Sequence, residues 1–93
     1  MLSKNKIKFI NSLKQKKFRT ESGLFIMEGD KLVSELLSQR KETVVHLVAK
    51  AGWLRANQHL LHPGIKEITE VTDTVFSKIT SFESPTGVLA VLS

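Results

Sequence analysis

The chain of 93 residues contains no cysteine. This absence excludes disulfide frameworks, thiolate catalysis and cysteine-based zinc sites, and it is typical of a cytoplasmic protein. Long apolar runs are also missing, since no segment approaches the roughly 20 apolar residues that a membrane-spanning helix needs. The length suits one domain and is too short for a core plus a separate catalytic lobe. We therefore expect a single soluble, cytoplasmic domain over residues 1–93.

Acidic residues are absent from the first nineteen positions, although the whole chain has 9 of them. The net charge of +5 is concentrated in this segment. Such a basic block is the electrostatic footprint of a nucleic acid or an anionic membrane, but solubilising helix surfaces have the same composition. Its cations are Lys4, Lys6, Lys8, Lys14, Lys16, Lys17 and Arg19.

The most informative segment is residues 16–30, which we predict to run from a basic loop through a buried strand at 24–27 into a helix. Glycines at 23 and 29 bound the apolar stretch, and Asp30 is expected to cap the helix. The first N–H groups of a helix lack backbone partners and favour phosphate groups. The segment therefore suits a phosphate backbone.

Two residues of this segment allow both a functional and a structural interpretation. Glu28 near cations could act as an acid or base, but the segment has no nucleophile or second carboxylate to work with it. We interpret it as accepting hydrogen bonds from exposed N–H groups or pairing with Arg19. Phe18 could stack on a splayed base, and we favour the alternative that it anchors the basic loop.

Apolar periodicity predicts four helices alternating with four strands, which indicates an α/β fold with a mixed or largely parallel four-stranded sheet between helices. Trp53 is assigned to the core. The predicted helices cover about 3–15, 30–41 and 53–60, followed by a short one capped by Thr72 or Asp73; the predicted strands cover 24–27, 44–49, 65–71 and 88–92.

Catalytic and cofactor motifs are not evident. Gly23 and Gly29 are separated by a strand and cannot form one phosphate-cradling turn. His59 and His62 are three positions apart, but no third metal ligand has suitable spacing. His46 lies in an apolar strand and is interpreted as a packed residue with a backbone partner. We expect no catalytic residue, metal or cofactor in this chain.

Three separated pieces of the chain resemble the N-terminal substrate-binding domain of the SpoU (TrmH-like) family of RNA 2'-O-ribose methyltransferases. They are the basic segment through Glu28-Gly29, the helix start at 71–73, and residues 83–91. Relatives commonly have Thr-Pro-Gln-Gly where this chain has Ser84-Pro85-Thr86-Gly87, so any role of the glutamine side chain is in doubt.

The resemblance implies a three-layer α/β/α sandwich similar to the kink-turn-binding ribosomal proteins. In the family this domain precedes a knotted domain that binds S-adenosylmethionine, so we expect the chain to be an N-terminal fragment without catalytic activity or methyl donor. The parent is expected to be a homodimer and the fragment monomeric. Its partner would be RNA, with ribosomal RNA favoured over transfer RNA. The implied RNA-binding residues are Lys14, Lys16, Lys17, Arg19, Glu28, Gly29 and Asp30.

Two other functions remain open on the sequence. One is a complete, stand-alone RNA-binding protein of the kink-turn type. The other is a protein-interaction module whose basic helix is only a solvated surface.

Overall fold

A mixed four-stranded sheet forms the middle layer of the molecule, and helices cover both of its faces. The computed structural model describes all residues, 1–93. None of its helices is long and apolar enough to cross a membrane. The helices are α1 (Lys4–Ser12), α2 (Lys16–Ser22), α3 (Asp30–Gln39), α4 (Ala51–Ala56) and α5 (Asp73–Ser77), with a short 3-10 helix at Gln58–Leu60; the strands are β1 (Phe25–Glu28), β2 (Val44–Lys50), β3 (Ile68–Val71) and β4 (Val88–Leu92).

The strands are arranged in the order β1-β4-β2-β3. The central strand β4 is antiparallel to both of its neighbours, β1 and β2, whereas β2 and β3 are parallel. Of the two expected sheet types the mixed one is confirmed, and the largely parallel one is wrong because two of the three pairings are antiparallel.

The core is divided into two clusters by the alternation of side chains along β2 and β4. Val88, Ala90 and Leu92 face the layer formed by α3 and α4, whereas Leu89 and Val91 face the layer formed by α1 and α5. Strand β4 is buried at every position, which explains its near-continuous apolar sequence. The predicted three-layer sandwich is therefore confirmed.

The largest difference from the predicted elements lies between α1 and β1. A second helix, α2, occupies most of the predicted basic loop, and α1 ends at Ser12 instead of Gln15. Gly23 ends α2 in the left-handed conformation, with φ 71°, and its N–H donates to the carbonyl of Arg19. Helices often end at a glycine in the left-handed conformation, so Gly23 ends α2 as well as preceding β1.

Smaller differences concern element ends. The predicted helix over 53–60 is split into α4 and the 3-10 turn, and β3 begins at Ile68 instead of Ile65. Thr72 caps α5 through its side chain, which accepts a hydrogen bond from Val75 N. Trp53 is only 7% exposed and belongs to the core as predicted.

Candidate nucleic-acid interface

Loops from both helical layers meet at one end of the sheet. Strand pairing aligns Glu28 with Leu89, Ala49 with Val88, and Lys50 with Val71, so β1, β2 and β3 end where β4 begins. We call this the junction end; it comprises residues 28–30, 50–51, 71–73 and 78–88. The opposite end of the sheet contains Phe25, Val44 and Leu92.

Gly29 is the turning point between β1 and α3. Its φ of 115° lies in a region that residues with a side chain rarely adopt, and it occupies the N-cap position of α3. A Cβ at Gly29 would lie 3.2 Å from Cε2 of Phe82. The junction therefore requires glycine both for its backbone conformation and for the close approach of an aromatic ring.

The N–H groups predicted to be free for phosphate are occupied within the chain. Gly29 N donates to the carbonyl of Val88 at 3.2 Å, and Asp30 N donates to Thr86 Oγ1 at 2.8 Å. The prediction of unpaired amides at these two residues is therefore wrong. The partners come from the turn before β4 and from the first residue of β4, more than fifty positions away in the sequence, and local patterns do not reveal them.

Glu28 accepts hydrogen bonds, as expected, but from a different part of the chain. Its carboxylate receives the hydroxyl of Thr80 and the backbone N–H of Ser81, the latter at 2.9 Å. The alternative pairing with Arg19 is wrong, because no ion pair joins the two side chains; the Arg19 guanidinium donates to the carbonyl of Leu13 at 3.1 Å. Glu28 thus fixes the loop after α5 against the end of β1.

Asp30 is the first residue of α3, and the predicted capping by its side chain is wrong because the N-cap is Gly29. The Asp30 carboxylate accepts hydrogen bonds from Trp53 Nε1 at 2.7 Å and from Ser34 Oγ at 3.3 Å. A negative charge at this position also interacts favourably with the helix dipole. Asp30 consequently ties α3 to α4.

The predicted phosphate-binding lysines are available to a ligand. Lys14, Lys16 and Lys17 are exposed, and none of them forms an ion pair. The end of α1 is tied to the junction end, because the Asn11 side chain donates to the carbonyl of Lys78 at 2.8 Å. Lys14, Lys16 and Lys17 therefore come directly after the anchored end of α1 in the sequence.

The other two residues of the basic segment differ in exposure. Arg19 is half-buried, and its bond to Leu13 joins α2 to the end of α1. Phe18 is 36% exposed, with Lys17 Nζ 5.7 Å from its ring centroid. The preferred interpretation of Phe18 as a buried anchor is therefore wrong, since α2 presents its ring to solvent.

Lys50 is another cation at the junction end, and sequence reasoning did not identify it. Its Nζ lies 3.0 Å from a carboxylate oxygen of Asp73 and 5.9 Å from the ring centroid of Phe76. Gly87, with φ 88°, packs against the Lys50 stem, where a Cβ would meet Cε at 2.8 Å. The glycine at 87 was a signal for such close packing.

Acid–base groups elsewhere in the chain form no catalytic arrangement. His46 is buried, and its Nε2 lies 2.7 Å from Thr69 Oγ1, so its partner is a side chain instead of the predicted backbone group. Burial lowers the pKa of His46; Glu67, 3.6 Å away, opposes this effect, and Lys6 adds to it. His62 Nδ1 accepts a hydrogen bond from Gly64 N. No group of three or more His, Cys, Asp or Glu side chains could hold a metal ion.

The family model and the solved structures that are similar to this chain all come from RNA methyltransferases. Residues 4–90 match the model of the MRM3-like substrate binding domain. An RNA methyltransferase of the TrmH family from Porphyromonas gingivalis is 34% identical, with a TM-score of 0.84 over 100% of this chain and 36% of that one. An AdoMet-bound rRNA methyltransferase from Sinorhizobium meliloti is 26% identical, with a TM-score of 0.76 over 100% of this chain and 35% of that one.

The fold extends to more distant structures. The SpoU methyltransferase AviRb from Streptomyces viridochromogenes has a TM-score of 0.76 at 17% identity, covering 98% of this chain and 36% of its own. No curated protein matches the sequence. The chain spans about a third of the length of these solved relatives. With nearly its whole length matched by the family model, this chain belongs to the MRM3-like substrate-binding domains of the SpoU/TrmH RNA methyltransferases.

Proposed function

We propose that this domain binds substrate RNA, with ribosomal RNA as the substrate, for methylation of a ribose 2'-hydroxyl. The observation that carries the proposal is the family match over residues 4–90. The charge distribution supports it, because Lys14, Lys16 and Lys17 are exposed cations without acidic partners. Lysines of this kind attract phosphates without regard to sequence.

The proposed binding residues divide into two groups by their contacts. Lys14, Lys16 and Lys17 contact phosphates directly, and Arg19 joins them with the donors that its bond to Leu13 leaves free. Glu28, Gly29 and Asp30 act indirectly. Their hydrogen bonds hold the loop after α5 and the turn before β4 in place, so they shape the surface that meets the RNA.

The methyl donor is assigned to a catalytic domain that follows in the full-length protein. The junction amides of Gly29 and Asp30 are already bonded within the chain, and no glycine-rich turn is present to cradle a cofactor. S-adenosylmethionine would supply the methyl group there, while this domain positions the RNA. We further propose that the full-length protein is a cytoplasmic homodimer and that the isolated domain is monomeric.

Titration of the domain against fluorescein-labelled ribosomal RNA fragments tests the function. Fluorescence anisotropy across a range of salt concentrations gives the dissociation constant and its salt dependence, with a length-matched duplex DNA as control. We expect salt-sensitive binding that prefers structured RNA, because phosphate contacts release counterions. Binding that is absent even at low salt would overturn the proposal and favour a protein-interaction module.

A further inference from the structure

We infer that Phe82 is a stacking platform for an unpaired nucleobase of the bound RNA; the inference rests on the proposed function and adds a residue and a ligand class to it. Phe82 lies in the loop between α5 and β4, and 43% of its surface is exposed. It belongs to neither hydrophobic cluster of the core. The hydrophobic core therefore does not account for this aromatic side chain.

One edge of the Phe82 ring is packed against the backbone of Gly29. A Cβ added to Gly29 would be 3.2 Å from Cε2 and 3.6 Å from Cζ. A side chain at position 29 would push the ring away by a few tenths of an ångström, so glycine permits this close packing. One part of the ring thus rests on the β1–α3 junction, while its exposed part remains available to a ligand.

A chain of hydrogen bonds fixes the backbone that carries the ring. Phe82 N donates to Thr80 Oγ1 at 3.0 Å, and the same hydroxyl donates to the Glu28 carboxylate. Ser81 N donates to Glu28 as well, at 2.9 Å. A loop backbone held in this way loses little conformational freedom on binding, which favours affinity. Glu28 is therefore a positioning residue for Phe82.

The chemistry of an exposed, preorganised phenyl ring matches an unstacked base. Every base has a π face, and proteins recognise single-stranded loops and bulges of RNA by stacking such bases on aromatic side chains. Bases within a regular duplex are covered by their neighbours. The site therefore takes a nucleobase from an unpaired region, and it adds a contact that does not depend on phosphate charge.

Phe18 is an exposed aromatic within the basic segment, and its surroundings differ from those of Phe82. Lys17 Nζ already lies 5.7 Å from the Phe18 ring centroid. No glycine contacts the Phe18 ring, and no side-chain hydrogen bond ties Phe18 to another element. The one side-chain group that donates to its carbonyl is the hydroxyl of Ser22, in the same helix. Phe82 is consequently the better supported platform.

The test compares two fluorescein-labelled RNA hairpins of equal length, one with an unpaired internal loop and one fully paired. We expect the native domain to prefer the looped hairpin. Phe82→Ala should weaken binding of the looped hairpin about tenfold and leave the slope of log Kd against log salt unchanged, because stacking releases no counterions. Phe82→Trp should retain the native affinity.

Two further variants control for structure. Phe82→Leu keeps an apolar side chain over Gly29 but has no aromatic face, and it should lose affinity as Phe82→Ala does. Phe25→Ala removes a ring of similar exposure, 37%, from the opposite end of β1, and it should bind like the native domain. Urea midpoints of all variants confirm folding.

The outcomes separate the inference from the proposed function. If the native domain binds RNA and both Phe82→Ala and Phe82→Leu bind the looped hairpin as tightly as it does, the stacking role is wrong and RNA recognition stands. If the native domain binds no RNA at any salt concentration, both are wrong.

Discussion

Both ends of the sheet have backbone hydrogen bonds, such as Gly29 N to the carbonyl of Val88 at the junction end, but they differ in the side-chain bonds that are added to them. At the junction end, side chains join segments that are far apart in sequence: Asn11 to Lys78, Glu28 to Thr80 and Ser81, and Asp30 to Thr86. At the opposite end the links are backbone hydrogen bonds, such as Ser93 N to the carbonyl of Thr43 and Lys66 N to the carbonyl of Val44.

This difference indicates where the molecule controls loop geometry. Backbone ladders stabilise a sheet with almost any sequence, whereas the side-chain bonds at the junction end require particular residues. A binding surface needs loops held in one conformation, and polar side chains hold them. The comparison predicts that substitutions at the junction end affect both stability and RNA binding, and that those at the opposite end leave RNA binding intact.

Gly29→Ala is expected to have the largest effect. Alanine is strained at a φ of 115°, and its Cβ would push against the Phe82 ring at 3.2 Å. We expect the free energy of unfolding to fall by about 1–3 kcal/mol, measured by urea titration, together with weaker RNA binding. Gly52→Ala is the matched control, because a Cβ there meets nothing within 4 Å and alanine favours its helix, α4. Equal stability of the two variants would contradict the role of Gly29.

Glu28→Ala should have the next largest effect. It removes the acceptor of both the Thr80 hydroxyl and the Ser81 amide, so we expect a loss of about 1–3 kcal/mol in the free energy of unfolding. The preference for looped RNA should fall as the loop carrying Phe82 becomes less ordered. Glu35→Ala, an exposed position on α3, should change stability by less than about 0.5 kcal/mol. If Glu28→Ala prefers looped RNA as strongly as the native domain does, the role of Glu28 in positioning Phe82 is wrong.

His46 offers a test away from the junction end. Because burial lowers its pKa in the folded state, the unfolded chain binds the proton more strongly, and stability rises with pH. The stabilisation is complete above the unfolded pKa and should decline as the pH falls below about 6.5. Urea midpoints at pH 7.5 and 5.5 should differ less in His46→Gln than in the native domain. RNA affinity at pH 7.5 should be unaffected; a large loss would contradict the separation of the two ends.

Lys17→Gln should have the smallest effect on the domain itself. Removal of one exposed phosphate contact should leave the urea midpoint unchanged, weaken RNA binding roughly uniformly, and reduce the salt slope by about one. Lys41→Gln is the control, because Lys41 is exposed just before Thr43, at the opposite end of the sheet. Equal salt slopes for both variants would contradict a specific phosphate contact by Lys17.

Local patterns predicted the parts of the fold that depend on local physics. Strand β4 was predicted with its observed bounds, 88–92, because a strand covered on both faces is apolar at every position. Helix α3 and the assignment of Trp53 to the core followed from apolar periodicity in the same way. The mixed sheet was one of two open alternatives, since the direction of β4 depends on long-range pairing.

The candidate site was predicted less completely, because its contacts are made at a distance. The sequence identified the Glu28-Gly29-Asp30 junction and the lysines before it. It did not reveal that the turn before β4 occupies the junction amides, or that Thr86 supplies one of the acceptors. Phe82 and Lys50 were missed for the same reason. The glycines at 29 and 87 were the available signal in the sequence, since glycine often marks places where another group approaches closely, as it does at both positions.

The position of β4 has a consequence for the order of folding. Strand β1 pairs only with β4, and β2 reaches β1 only through it, although β4 is the last strand in the sequence. A nascent chain that has not yet emerged beyond Val88 lacks the strand that joins β1 to β2, so it cannot complete the sheet. Such non-local pairing slows folding. In a chain made from its N-terminus, the bond of Gly29 to Val88 and the link between β1 and β2 can therefore form only after β4 has been made.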